Sequence, residues 1–305
     1  MPSTIRPTDE YFHAAEKLKD WRESYYFNFV SHDNKTSGFT TIGILPNQEK
    51  AEFVLALFNE GKQKLYYREQ KATINDQSSS LISDKILAFK LIEPLHKWEI
   101  DFVDADLELN IQWTTRFPPF DFGKGSGTSW TGHFEQSGII KGAAKLSDGR
   151  NINIDGYGQR DKSWGPRDWH IENWFALHAQ FETCAVGLRR DTVNGLVHVS
   201  GGITSVLKQS TASQVNLEIT YGKGDCPNPT GALTNIRFVD GNILTLKSRL
   251  ISPESFVRFS RSFPKGSTEL FEGMAIHEST ETGERGTGLI EFLTTHTKSL
   301  SKPIP

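Results

Sequence analysis

Between Gly156 and Trp169 the chain concentrates groups able to do chemistry. Fourteen residues, Gly-Tyr-Gly-Gln-Arg-Asp-Lys-Ser-Trp-Gly-Pro-Arg-Asp-Trp, hold three bases, two carboxylates, two tryptophans and three glycines. Glycine lets backbones approach closely and Pro166 fixes a turn, so the segment can gather its charges in a confined space. Arg160, Asp161, Arg167 and Asp168 can form bidentate guanidinium–carboxylate pairs shielded by the indoles. Two readings follow from residue chemistry. One is a structural staple that plugs a barrel end or joins two domains. The other places a carboxylate in an apolar pocket, where desolvation raises its pKa and an adjacent arginine lowers it, giving a tunable acid or base. Flanked by Arg160 and Lys162, Asp161 is expected to be ionised unless its surroundings are very dry.

A second segment, Trp130 to Gln136, carries His133 and Glu135 two apart. Strand alternation puts Thr131, His133 and Glu135 on one face and Trp130, Gly132, Phe134 and Gln136 on the other. A histidine and a carboxylate on one face can share a proton or orient a substrate hydroxyl; the alternative is a solvated polar face. The acids Asp101, Asp104, Asp106 and Glu108 read as a solvated strand face and hairpin rather than a Ca²⁺ or Mg²⁺ site. None of the nine histidines pairs at metal-helix spacing and neither Cys184 nor Cys226 sits in a C-x-x-C, so no metal is expected. The two cysteines read as small hydrophobes of a reducing compartment. Phosphate-cradling glycine loops and a G-x-S-x-G elbow are missing, so no cofactor is expected and serine hydrolysis has no support.

Strands must position these residues. Apolar and acidic residues alternate in Trp98-Glu99-Ile100-Asp101-Phe102 and again from Asp106 to Trp113. Strand candidates recur roughly every 8–14 residues with turn signals such as Asp148-Gly149 and Asp240-Gly241 between them. About eight fall before Gly156 and about eight after it, and eight antiparallel strands close a barrel wide enough for one small ligand. The expectation is an all-β chain of two tandem antiparallel barrels with minimal helix. Residues 1–20 form an N-terminal arm with a short helix over Thr8–Trp21, 21–160 the first barrel, 161–297 the second, and 298–305 a tail. The stretches Asp76–Ser83, Lys208–Ser213 and Gly222–Gly231 read as loops.

Composition sets the outer limits. In 305 residues the hydrophobic fraction is 36% and the aromatic fraction 11%, with 20 Phe and 7 Trp, enough for a large aromatic core. A net charge of −3 without a basic stripe excludes nucleic acid as a partner. No run approaches the roughly 18 apolar residues of a membrane span, and the N-terminus is polar, so a cytoplasmic protein without stable membrane insertion is expected. The expected partner is a small hydrophobic substrate, with a homodimer left open.

The segment Gly156–Trp169 resembles the signature of the AttH/CrtC-like, lipocalin-type family, which includes carotenoid 1,2-hydratases and, more distantly, lipocalin-like fungal pericyclases. Trp21–Phe29, His133–Gly138, Phe271-Glu272-Gly273 and Gly286–Phe292 are similar to other strands of that family, so the likeness spans about residues 21–293. The resemblance implies lipocalin-like (calycin) barrels and a hydrophobic ligand. By position it gives the proton-donor role to Asp161 and the upstream histidine role to His133; in an enzyme so built, Lys162 or Arg160 is expected to stabilise a developing anion. Substrate contacts are then expected from Trp130, Glu135, Tyr157, Gln159, Trp164, Trp169 and Trp174. The family pattern has His where Lys162 stands, and the hydratases have Tyr-His at Gln159-Arg160, so the acid's neighbours differ here. The implied activity is a cofactor-independent lyase, isomerase or cyclase on an isoprenoid or polyketide–terpenoid, including dehydration-triggered hetero-Diels–Alder chemistry. A non-catalytic carrier of a lipophilic molecule is the alternative.

Overall fold

The structure is a computed structural model describing residues 5–72, 79–125, 129–169, 171–223 and 228–297. His170, Cys226 and the tail 298–305 lie outside the described residues. The first half contributes β1 (Trp21–Ser31), β2 (Thr36–Leu45), β3 (Lys50–Asn59), β4 (Lys62–Lys71), β5 (Leu81–Ser83) and β6 (Leu87–Glu93). It continues with β7 (Lys97–Val103), β8 (Leu107–Thr115), β9 (Phe120–Asp121), β10 (Gly132–Leu146) and β11 (Asn151–Pro166). The second half holds β12 (Asn173–Gln180), β13 (Cys184–Val193), β14 (Leu196–Ser205), β15 (Gln209–Tyr221) and β16 (Pro229–Phe238). Its last strands are β17 (Ile243–Leu250), β18 (Phe256–Phe263), β19 (Gly266–Ser279) and β20 (Arg285–Thr297).

The first sheet runs β4-β3-β2-β1-β11-β10-β8-β7-β6-β5, with β9 beside β10. The second runs β17-β16-β15-β14-β13-β12-β20-β19-β18, and a ladder from Leu246↔Ser279 to Leu250↔Ala275 joins β17 to β19. That ladder closes an eight-stranded barrel, while the first sheet is a curled half-barrel whose edges meet through side chains. The Tyr66 hydroxyl of β4, for example, donates to Asp84 just past β5. One closed barrel and one curled half-barrel are consistent with the two tandem barrels expected. The chain is all-β, and among the described residues the helical elements are two 3-10 turns, Pro7–Glu10 and Pro46–Gln48.

Alternation explains why β1 is buried along its whole length. Tyr25, Phe27 and Phe29 point into the first half's core, where Phe27 meets Phe89, Trp98 and Trp113 at 5.2, 5.6 and 6.3 Å between ring centroids. Each such pair is worth about 0.5–1.5 kcal/mol beyond area burial. The next face, with Tyr26 and Val30, packs with Phe39 and Val54 against Met274 and Leu289 of the second half. The first half's interior is therefore filled by its own side chains, and the sheet's outer face is the surface on which the halves meet.

Four expectations are corrected. The arm forms a single 3-10 turn instead of a helix over Thr8–Trp21, because it lies extended against the first half: Phe12 packs edge-on to Tyr25 and His13 stacks on Trp164 at 3.8 Å. These tertiary contacts override the helical spacing of its apolar residues. The boundary at 160/161 falls inside β11, whose pairing with β1 runs unbroken from Gly156↔Ser31 to Pro166↔Trp21, so the first sheet extends to Pro166. Gln209–Ser213 belong to β15 and Leu81–Ser83 to β5, each paired to a neighbour that its polar composition did not reveal. Among the described residues no helix is long and apolar enough to cross a membrane.

Candidate active site between the two halves

Strand β11 divides the dense cluster between two faces. Arg160, Lys162 and Trp164 point into the first half, where each is already engaged. Arg160 Nη1 and Nη2 donate to Glu10 at 2.8 and 2.5 Å, Nη2 reaches Gln136 Oε1 at 2.8 Å, and the guanidinium lies 4.9 Å from the centre of the Phe134 ring. Lys162 Nζ bonds Glu23, whose other oxygen takes the His13 backbone N–H at 2.9 Å. Burial works to raise the Glu23 pKa, and Lys162 with His13 outweighs it, holding the carboxyl below its usual range. Neither base stands beside Asp161, contrary to expectation: adjacent residues of a strand face opposite ways. Arg160 pairs with Glu10 rather than Asp161, and Arg167 Nη2 donates to Ser163 Oγ at 2.9 Å.

The other face carries Gln159 and Asp161 toward the second half. In register, Asp161 lies between Tyr26 on β1 and Glu135 on β10, and Ser163 between Ser24 and His133. His133 Nε2 comes 3.3 Å from Asp161 Oδ2 and 3.5 Å from Glu135 Oε1. Burial would raise the Asp161 pKa, but His133, with Arg167 and His178 behind it, outweighs burial and holds the carboxyl well below the usual range. Asp161 is thus ionised as expected, with His133 as the main cause instead of its sequence neighbours. Phe122 and Trp130 cover the His133 ring at 4.3 and 4.7 Å.

Behind this cluster a buried polar seam ties the halves together. Glu135 accepts from Gln159 Nε2 and lies 3.3 Å from His178 Nε2 of β12, while His178 Nδ1 meets Asn28 Nδ2 at 2.7 Å. Gln180 Nε2 donates to Gln159 Oε1 at 2.5 Å, and Ser137 Oγ donates to Gln180. Burial would lower the His178 pKa; Glu135 beside it raises it instead.

Asp161 opens onto a cleft of about 510 Å³ walled by Tyr26, Tyr67, Trp169, Trp174 and Phe259, among others. Arg22, Glu52, Arg167, Arg189, Glu272 and Glu291 bring charge to it. Arg22 is paired with Glu52, and Arg189 Nε donates to Asp191 at 2.6 Å with its plane 4.0 Å above Trp174. Burial and the nearby Arg189 push the Arg167 guanidinium down to about 10, against the pull of Asp161. The buried atoms Tyr26 Oη, Asp161 Oδ1 and His133 Nδ1 have no hydrogen-bond partner, while His133 Nε2 faces the Asp161 and Glu135 carboxylates. Burial and the acids Glu272 and Glu291 raise the Tyr26 pKa well above normal, so its hydroxyl remains a donor. His133, Glu135 and Asp161 also offer one nitrogen and two oxygens within 4.8 Å of one another, close enough to share a cation.

Of the residues singled out in sequence, Asp161, Trp169 and Trp174 line the cleft, and His133, Glu135 and Trp130 stand directly behind Asp161. Gln159 belongs to the seam. Tyr157, on the same face farther along β11, instead takes the Arg116 guanidinium at 3.6 Å. Trp164, Arg160 and Lys162 belong to the first half's interior. Tyr26, Arg22, Arg189, His178, Glu272 and Glu291 were missed. Glu291 had a readable signal, a lone acid between large apolar residues in Ile290-Glu291-Phe292.

Fold and site together describe a tandem lipocalin-type protein with a polar cluster in the crevice between its halves. The chain belongs to the family described as Domain of unknown function (DUF7064), which matches residues 6–296. No curated protein matches the sequence. A Nitrosomonas europaea structure assigned as AttH shares the fold at a TM-score of 0.72 and 14% identity, over 98% of this chain and 100% of that one. CghA shares it at 0.66 and 11%, over 93% and 90% of the two chains. Kievitone hydratase from Nectria haematococca shares it at 0.67 and 12%, over 90% and 89%. At these identities the likeness is one of fold, and at that level it agrees with the AttH-like resemblance in sequence.

Proposed function

We propose that the chain is a cofactor-independent acid–base enzyme of the hydratase–dehydratase or cyclase kind, acting on a hydrophobic, oxygen-bearing molecule such as an isoprenoid or polyketide–terpenoid bound between the halves. The observation that carries this reading is the convergence of two unpartnered buried polar atoms, Tyr26 Oη and Asp161 Oδ1, at the wall of an aromatic cleft, with the His133 ring directly behind Asp161. Buried polar groups are nearly always satisfied, and a set of orphans at one place marks where a ligand's polar atoms belong. Support also comes from fold neighbours, one a hydratase by name and another, CghA, crystallised with Sch210972.

Within this reading the ionised Asp161 serves as base, or as the group that holds a departing hydroxyl's proton. This inverts the proton-donor role the resemblance gave it, because a carboxyl held so far down is deprotonated at neutral pH. His133 orients Asp161. Arg167 takes the anion-stabilising part first assigned to Lys162 or Arg160, since it borders the cleft and they do not. The aromatic walls exclude water from a reactive intermediate and hold the substrate in a reactive pose.

The test compares the wild type with Asp161→Asn, each incubated with a metabolite extract of the source organism in ordinary and in oxygen-18 water, with mass spectrometry of the products and of the ligand that co-purifies. The wild type is expected to interconvert species differing by the mass of water, or isomers of one mass. The Asp161→Asn variant should reduce this by about 10²–10⁴-fold while keeping the co-purified ligand. Unchanged turnover in the variant overturns the reading, and ligand retention with no turnover in either protein makes the chain a carrier.

A further inference from the structure

An ionised Asp161 can accept a proton, so acid–base chemistry in this cleft needs a donor elsewhere. The wall formed by the second half supplies a candidate. Glu272 on β19 and Glu291 on β20 are direct cross-strand partners. Their side chains therefore leave the same face of the sheet about 5 Å apart at Cβ, and both line the cleft. On that face the pairs to either side are apolar, Leu270↔Leu293 and Met274↔Leu289, with Met274, Leu289 and Leu293 fully enclosed. Trp174 Nε1 donates to Glu291 Oε1. Two carboxylates this close in an apolar column do not both stay ionised at rest: they share one proton, and the doubly ionised pair left when that proton is given up is a transient, high-energy state.

We infer that Glu272 and Glu291 hold one proton between them and that this pair is the general acid of the site, delivering the proton to an oxygen of the substrate that Asp161 deprotonates. Burial and the adjacent Glu291 push the Glu272 carboxyl well above the usual range, which puts the proton on Glu272. The groups facing the pair favour that placement. The Trp174 indole donates to Glu291, and His178 (when protonated) and Arg167 interact with the Glu291 charge, with Arg189 stacked on Trp174, while Tyr26 and Asp161 approach from the first half. The inference rests on the acid–base reading above and supplies its missing half.

The step balances as a dehydration. Asp161 takes a proton from the carbon next to the one bearing a hydroxyl, and the C–H electron pair becomes the second bond of C=C. The C–O bond breaks toward oxygen, which takes the proton from Glu272 and leaves as water. Asp161 ends protonated and both glutamates ionised, and a proton passed back through cleft water restores the starting state; hydration is the same path reversed. Removing such a C–H proton requires an adjacent acidifying group, and Arg167 is the cation at hand for its oxygen. The substrate class indicated is a hydrophobic β-hydroxy carbonyl compound or its unsaturated partner.

Two measurements on the full chain test this. With glutamate carbon-13 labelled at Cδ, an NMR titration should show one carboxyl still protonated at neutral pH, absent in Glu272→Gln and shifted toward ordinary titration in Glu291→Gln. In the extract assay, Glu272→Gln, which keeps the shape and neutrality of the acid and so the fold, should reduce Asp161-dependent turnover by about 10²–10³-fold with the co-purified ligand retained. If every carboxyl is ionised at neutral pH, the shared proton is refuted. If Asp161→Asn abolishes turnover and Glu272→Gln does not, the donor role falls and the function stands. If turnover depends on neither residue, both fall.

Discussion

Arg160 and Asp161 are neighbours in sequence with opposite surroundings, and the difference predicts opposite consequences of mutation. Arg160 is 1% exposed and joins the arm to the first half through a two-pronged bond to Glu10, itself 1% exposed. Removing one partner of a buried pair leaves an uncompensated charge, at a cost of about 3–5 kcal/mol. Arg160→Ala should therefore lower the unfolding free energy from urea denaturation by an amount of that order, seen as a lower midpoint, while leaving the properties of the folded cleft intact. Adding Glu10→Gln in the same chain should restore a large part of the loss, because the orphaned charge is gone. Stability within about 0.5 kcal/mol of wild type in the single variant, the range of ordinary surface substitutions, would show that the arm is not anchored there. Asp161→Asn should behave the opposite way, with little change in midpoint beside a large loss of turnover.

Strand pairing explains what the sequence could and could not reveal. Period-two alternation in Trp98–Phe102 and Asp106–Trp113 matches β7 and β8, and His133 and Glu135 share a face as their spacing requires. Asp161 stood out because charges and glycines crowd around it. What local pattern cannot encode is which strands meet. Glu272 and Glu291 become a pair only because β19 and β20 are adjacent, and they meet Asp161 only because one sheet docks on another. The same limit let Arg160 and Lys162 be read as companions of Asp161, although alternation argues against it. Gly187 on β13 shows how closely the sheets dock: a Cβ there would collide with Gln159 Nε2 and Glu135 Oε2 of the seam. Gly187→Ala should force those side chains to move, cost about 1–3 kcal/mol as overpacking does, and lower kcat more than it raises KM by displacing the support of His133 and Asp161. A variant with wild-type melting and kcat would mean the seam has slack at this point.

At the scale of the molecule, the cleft exists only where the halves are docked, so site and stability depend on the same interface. That interface joins Tyr26, Val30, Phe39 and Phe58 of the first half to Val257, Met274 and Leu289 of the second, next to the Glu135–His178 contact. Neither half covers these residues alone: β1 places one face in its own core and the other against the second barrel. Opening the interface would expose contiguous apolar surface together with the buried polar seam, so the halves should unfold together. Calorimetry of the wild type is expected to show one cooperative transition with equal calorimetric and van't Hoff enthalpies. Leu289 is 1% exposed and sits beside Met274 at the centre of the contact. Leu289→Asp would bury a carboxylate without a partner, and separating the halves to hydrate it should cost less than keeping it dry. The variant should show two transitions, the lower one accompanied by loss of the co-purified ligand and the upper one the closed barrel, whose interior Leu289 does not enter. Two transitions in the wild type, or a single unchanged one in the variant, would establish that the halves are stable independently and that the cleft is held by something other than their shared face.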